Sequence, residues 1–149
     1  VIADGCRYVA ETEDRFDLIV VDSTDPIGPG KVLFTSEFYR DCKRCLNPGG
    51  ILVTQHGVPL LQADELTDGY RKLSALFDDV TFYLTVVPTY TGGAMTLGWA
   101  TDEPRHRKVP LGKLEERFAG LGIETHYYSP AVHQGAFALP PDVKRLLTR

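Results

Sequence analysis

No apolar run in this chain approaches the roughly 18 residues that a membrane-spanning helix requires, and no basic-then-apolar leader opens it. A membrane partner is therefore set aside, and a soluble, cytoplasmic protein is expected. Cysteine is scarce: three residues, an odd number, build no disulfide framework and fit a reducing compartment. Positive charge is not concentrated either. Sixteen Lys and Arg against 20 Asp and Glu leave a net charge of −4 with no basic stripe, which argues against nucleic acid as a partner. The histidines stand apart, without metal-ligand spacing, so no metal is expected. Cys42-Lys43-Arg44-Cys45 is formally a CxxC, but it falls in an amphipathic pattern where positions three apart share a face, and core packing is the better reading. Internal repeats and low-complexity tracts are also missing. Val1, rather than Met, opens the chain inside an apolar run read as the end of a strand at Asp4-Gly5, so further sequence is expected upstream.

What is present is an alternation of strand and helix patterns in ordinary globular material, long enough for one domain. Phe16 to Asp22 is a β-branched apolar run, the pattern of a strand covered on both faces. Phe34, Phe38, Cys42 and Cys45 or Leu46 recur at helical spacing, with Thr35 or Ser36 as cap and Asn47-Pro48-Gly49 as stop. Gly50 to His56 gives a second strand, and Leu66, Tyr70, Leu73 and Phe77 a second helix with Gly69 as its weak point. Val80–Pro88 and Ala94–Thr101 read as two strands joined through a Gly-containing loop. Leu111 to Leu121 reads as a third helix, and Pro141 to Leu147 as a short terminal one. The order predicts an α/β layered sheet with ligand chemistry at the carboxyl ends of its strands.

At those ends lie the residues able to do chemistry. Asp22 closes a buried strand and Asp25 follows in a turn set by Pro26, so both carboxylates can face one crevice; equally, both are ordinary turn residues. Asp4-Gly5 can hydrogen-bond a nucleoside at the same edge or simply turn the chain. Tyr90, in a loop between Pro88 and a Gly pair, reads either as a phenol closing over a ligand or as an aromatic lid on the core. Gln55 and His56 close another strand. His56 titrates near neutrality when unperturbed, but with no Ser, Cys or second ligand at useful spacing it reads as an uncharged or exposed loop histidine. His133, in Ser129-Pro130-Ala131-Val132-His133, belongs to no motif whose chemistry can be argued from spacing.

The ordered set of Asp4-Gly5, Phe16-Asp17, Asp22-Ser23-Thr24-Asp25-Pro26-Ile27-Gly28-Pro29, Leu46-Asn47-Pro48-Gly49-Gly50 with Gln55, Pro88-Thr89-Tyr90, and Tyr127-Tyr128-Ser129-Pro130 through Phe137-Ala138-Leu139-Pro140 resembles the second half of spermidine synthases, of the polyamine aminopropyltransferase family. The resemblance covers nearly the whole chain. It implies a Rossmann-like, class I methyltransferase-type fold with a mostly parallel sheet, incomplete on its amino-terminal side. It further implies transfer of an aminopropyl group from decarboxylated S-adenosylmethionine to putrescine, giving spermidine and methylthioadenosine, with no cofactor beyond that co-substrate. Under it, Asp22 is the proton acceptor and Asp25 holds an amine. Asp4 and Gly5 lie near the adenine, Pro29 lines the nucleoside pocket, Tyr90 contacts the diamine, and Ser23, Thr24 and Gln55 complete the substrate-binding set. The family's Gly-rich loop, ribose-binding acid and small amino-terminal β domain have no counterpart in these 149 residues, so the chain alone is expected to be inactive or poorly active, and the complete protein to form a homodimer or larger homo-oligomer. An S-adenosylmethionine-dependent amine methyltransferase and a non-catalytic polyamine- or nucleoside-binding fragment are the competing readings.

Overall fold

The computed structural model describes residues 2–89 and 91–148. Four strands, β1 (Phe16–Val21), β2 (Leu46–Gln55), β3 (Asp79–Val86) and β4 (Ala94–Thr101), form one sheet in the order β1-β2-β4-β3. The layered α/β class holds, but the sheet is mixed rather than mostly parallel: β1 and β2 pair in parallel, while β4 is antiparallel to both β2 and β3. The reason is local. The link between β3 and β4 spans residues 87–93, too short for the crossover that a parallel pair needs. β2 also begins earlier than the turn-rich Asn47-Pro48-Gly49-Gly50 suggests. Leu46 already pairs with Phe16, and the ladder resumes at Leu18↔Ile51, with the Pro-Gly-Gly stretch absorbed as an irregularity between them.

Helices α2 (Ser36–Arg44), α3 (Ala63–Ser74) and α6 (Pro141–Leu146) pack through two apolar clusters against one face of the sheet. Thr35 starts α2 by accepting a hydrogen bond from Phe38 N at 3.2 Å, and its apolar spacing turns Phe38, Tyr39 and Cys42 inward. Cys42 and Cys45 are core residues; burial raises the Cys42 thiol to about 12, so it stays a neutral apolar filler. Phe82 on β3 meets Leu66, Leu139, Val143 and Leu146. Truncating Phe82 to Ala would cost about 3–5 kcal/mol.

Over β3 and β4, the opposite face is covered by Phe137, at the end of α5 (Pro130–Ala136), which packs on Trp99 and Tyr83. Leu18 and Val20 of β1 lie on that same face and are 53% and 60% exposed. α4 (Leu111–Leu121) falls where its spacing predicts but contributes no buried residue. No described helix is long and apolar enough to cross a membrane.

Candidate active site

Because β1, β2 and β3 run in one direction and β4 in the other, the carboxyl ends of the first three share one edge. Asp22 follows Val21 there. The β1–β2 ladder ends at Val21↔Thr54, so Asp22 and Gln55, the next residue of each segment, both stand at this edge. Ser23 to Ile27 then turn, with Ile27 N donating to the Asp25 carbonyl at 2.6 Å, and a 3-10 helix (Gly28–Phe34) carries Pro29 and leads to the Thr35 cap. Asp22 and Thr24 are exposed; Ser23, Asp25 and Pro26 are half-buried. Tyr90 lies outside the described residues.

Asp4 does not end a strand. Ile2 to Asp4 lie in none, and Asp4 caps helix α1 (Gly5–Glu11), its carboxylate accepting from Arg7 N at 3.1 Å. An Asp directly before a helical stretch satisfies one of the amides left open at the helix start, which is why the Asp-Gly pair opens a helix here. Asp4 still faces the site's neighbourhood: with Val32 and Thr35 it lines one shallow surface depression.

Asp25 acts across the edge on Glu65, in the first turn of α3. Burial raises the Glu65 carboxyl above its ordinary value; the hydrogen bond from Gln62 Nε2, at 3.2 Å, opposes this, and the Asp25 charge adds to it. Glu65, Pro26, Phe34, Tyr39 and Lys72 line a cleft of about 390 Å³. Four side-chain oxygens near this edge are shielded from solvent and make no hydrogen bond: Ser23 Oγ, Tyr39 Oη, Gln55 Oε1 and Glu65 Oε2. The latter two can only accept. Buried acceptors without donors are costly, so the edge is built for a group rich in N–H or O–H.

His56, expected to be uncharged or exposed, is uncharged but fully buried. Burial lowers its pKa to about 4, and it stands between Phe34 and Phe82, with Nε2 2.8 Å from Thr54 Oγ1. Gly69 makes the space. A Cβ there would lie 2.1 Å from His56 Cε1, so the residue read as a weak point in the helix is what lets the ring sit under α3. Glu65 was not visible as a site residue in the sequence, because it flanks Leu66 in an ordinary amphipathic pattern. The mid-helix glycine was the one local sign of a close approach.

A family model described as "Spermine/spermidine synthase domain" matches residues 1–109. The chain belongs to the spermine/spermidine synthase family. Family members of known name include the polyamine aminopropyltransferase of Ruegeria sp. strain TM1040, 56% identical over 146 residues, which are 98% of this chain and 51% of that protein. The polyamine aminopropyltransferase of Pseudomonas syringae pv. tomato is 55% identical over 94% of this chain and 49% of its own. The chain thus spans about half the length of the curated relatives it matches. Among solved structures, a spermidine synthase in complex with the transition-state analogue AdoDATO superposes with a TM-score of 0.88 at 33% identity, covering 99% of this chain and 50% of that one. The spermidine synthase of Thermotoga maritima gives 0.85 at 32%, covering 99% and 49%. Human methyltransferase-like protein 13, in complex with SAH, matches at 0.52 and 19% identity over 100% of this chain and 59% of its own, a likeness of fold alone.

Proposed function

We propose that this chain is the acceptor-binding, carboxyl-terminal part of the catalytic domain of an aminopropyltransferase that converts decarboxylated S-adenosylmethionine and putrescine to spermidine and methylthioadenosine. The observation that carries the reading is the carboxyl edge of the sheet, where the loop bearing Asp22 and Asp25 leaves β1 and the shielded oxygens Ser23 Oγ and Gln55 Oε1 lack donors. A diammonium substrate supplies those donors. The names of the relatives, polyamine aminopropyltransferases, point the same way.

The chemistry follows from the charges. An alkyl amine has a pKa near 10.4 and arrives protonated, so it cannot attack carbon until a base takes a proton. Asp22, just after β1, is the base assigned to that proton. The freed nitrogen lone pair forms a bond to the donor carbon beside the sulfonium, the carbon–sulfur bond breaks, and its electron pair leaves with methylthioadenosine as a neutral thioether. Asp25 holds an ammonium group of the acceptor, and alignment of nitrogen and carbon supplies much of the remaining acceleration. Asp4, Gly5 and Pro29 take the donor's nucleoside side, and Thr24 and Tyr90 complete the acceptor side. No metal or cofactor enters this scheme. Cys6, Cys42 and Cys45 are all free, which supports a cytoplasmic enzyme, and the resemblance supports a homodimer or larger homo-oligomer of the complete protein.

The deciding experiment is turnover by the full-length protein with 1,4-diaminobutane and either decarboxylated or ordinary S-adenosylmethionine. Methylthioadenosine formed only from the decarboxylated donor supports the proposal. Methylation of the amine from the ordinary donor overturns it.

A further inference from the structure

We propose that His56 is a positioning residue of the acceptor edge: its imidazole, bonded to Thr54 inside a slot between two glycines, fixes the end of β2 so that Gln55 is presented to the diamine. The inference rests on the aminopropyltransferase reading. Thr54, Gln55 and His56 are consecutive, and side chains alternate along a strand, so Thr54 and His56 share the face covered by α3 while Gln55 points to the other. There its Oε1 is shielded and without a donor. An acceptor meant for a ligand N–H keeps its place only if the backbone beneath it does.

That backbone is held from both sides. The 2.8 Å bond between Thr54 Oγ1 and His56 Nε2 spans Gln55. From β4, His56 N donates to the Thr96 carbonyl at 3.0 Å, Thr96 N donates to the Gly57 carbonyl at 2.8 Å, and Thr96 Oγ1 shares its proton between the carbonyls of His56 and Gly57, at 3.1 and 2.9 Å. The ring has no room to turn. A Cβ on Gly69 would meet its Cε1, and one on Gly98 would lie 3.1 Å from its Cδ2 and 2.6 Å from Thr54 Oγ1. Phe82 meets the ring in a T-shaped contact with 4.8 Å between centroids, and Phe34, the last residue of the 3-10 helix after the acidic loop, in another at 6.1 Å. The imidazole therefore touches both arms of the edge, the one from β1 through Phe34 and the one from β2 through Thr54. A core filler needs none of this. An aliphatic side chain at position 56 would bury no polar nitrogen, and a glycine inside a helix is less stable than alanine, so the slot weakens the fold in two ways. What the ring gains is the bond across Gln55.

The test is steady-state kinetics of the full-length protein with 1,4-diaminobutane and decarboxylated S-adenosylmethionine. Thr54→Val keeps the shape of the slot and removes the bond. It should raise KM for the diamine about tenfold, with KM for the donor within about twofold of wild type. His56→Leu should do the same, and the double variant should be no worse than either alone, because one bond is lost in all three. His56→Gln, whose amide nitrogen reaches as far as Nε2, should return the diamine KM to within about threefold of wild type. A structural role alone moves the melting temperature and leaves KM of the folded enzyme in place, so a diamine KM within about twofold in Thr54→Val overturns the proposal. So does an equal rise for both substrates, an additive double variant, or a glutamine no better than leucine. Should the His56 variants not fold, Thr54→Val decides alone. If the wild type shows no turnover, the functional reading fails, and calorimetric titration with 1,4-diaminobutane still decides the role of His56. Binding that Thr54→Val weakens about tenfold upholds the role, and equal or absent binding refutes it.

Discussion

At the amino ends of β1, β2 and β3, nearly buried Asp79 receives Arg107 through two guanidinium nitrogens, Nε at 2.7 Å. At that same edge Asn47 Nδ2 donates to Asp17 at 2.9 Å, Thr101 Oγ1 donates to the Gly50 carbonyl at 3.0 Å, and His106 Nε2 bonds the Gly49 carbonyl at 2.8 Å. At the carboxyl ends, Ser23 Oγ, Gln55 Oε1 and Glu65 Oε2 are shielded and unmatched, and Asp22 stands exposed. One sheet thus closes its polar groups at one edge and leaves them open at the other. A fold gains nothing by burying an acceptor without a donor, at about 1–3 kcal/mol each, unless something else brings the donor. The closed edge holds the fold, and the open edge is where a ligand belongs.

That division is tested most severely by Asp22→Asn. On the open edge the variant should reduce turnover by about 10²–10⁴, the range for loss of a general base, while the melting temperature stays within about 2 °C. Single-turnover measurement of methylthioadenosine, alongside thermal unfolding, checks both halves. A large loss of stability with little loss of rate would place Asp22 with the closed-edge residues.

Arg107→Ala, on the closed edge, should do the reverse. It leaves Asp79 buried without its partner. Because the Arg107 side chain is itself 29% exposed, the cost is set below that of a fully buried pair, at about 2 kcal/mol. Urea unfolding would show a lower midpoint at unchanged slope, and activity per folded molecule should be unaltered.

Much of this arrangement was legible in the sequence, where local chemistry and final structure agree. The apolar run Phe16–Val21 is a strand as expected, though not covered on both faces, since Leu18 and Val20 are exposed; the Ala94–Thr101 strand and the Leu111–Leu121 helix have the predicted bounds; Thr35 caps α2 as its hydroxyl suggested. Asp22 and Gln55 were placed at one edge by strand direction alone, and the ladder ending at Val21↔Thr54 agrees. What was hidden depends on distant partners. Asn47-Pro48-Gly49 looks like a stop because its turn chemistry is local, yet Leu46 is drawn into β2 by Phe16, thirty positions earlier. Helices α1 and α5 have seven residues each, too few to show a period. The burial of His56 is decided by the bare backbone of Gly69 and by Phe82, and neither is a sequence neighbour.

His56 makes the fold sensitive to acid, because its buried imidazole is held neutral. Its pKa is about 4 when folded, against 6.5 for the unperturbed ring. Between those values the unfolded chain binds a proton that the folded chain refuses, so stability must fall as pH drops from 6.5 toward 4, and is unaffected by this group above 6.5. The difference converts to as much as about 3 kcal/mol at the acid limit. At pH 5.5, where only about one of those units has been traversed, the loss is about 1.4 kcal/mol. His56→Asn should flatten this slope. Unfolding free energies of the two proteins at pH 7 and 5.5 measure it, and parallel pH dependence would mean that the ring is not held neutral in the fold.

Thr35 gives the smallest effect and the finest distinction, because it lies beside the open edge yet has every bond satisfied. Its hydroxyl accepts from Phe38 N at 3.2 Å and donates to the Val32 carbonyl at 2.9 Å, joining the 3-10 helix below the acidic loop to α2. If position alone made a residue functional, Thr35→Ala would impair catalysis as a site residue does. If unmatched bonding capacity is what marks the ligand edge, the variant should lose about 1 kcal/mol of stability, as a lost cap does, with the diamine KM changed less than twofold. A tenfold rise in that KM at unchanged stability would show that the acidic loop depends on this hydroxyl to hold its shape, and would move the boundary between the two edges one turn into α2.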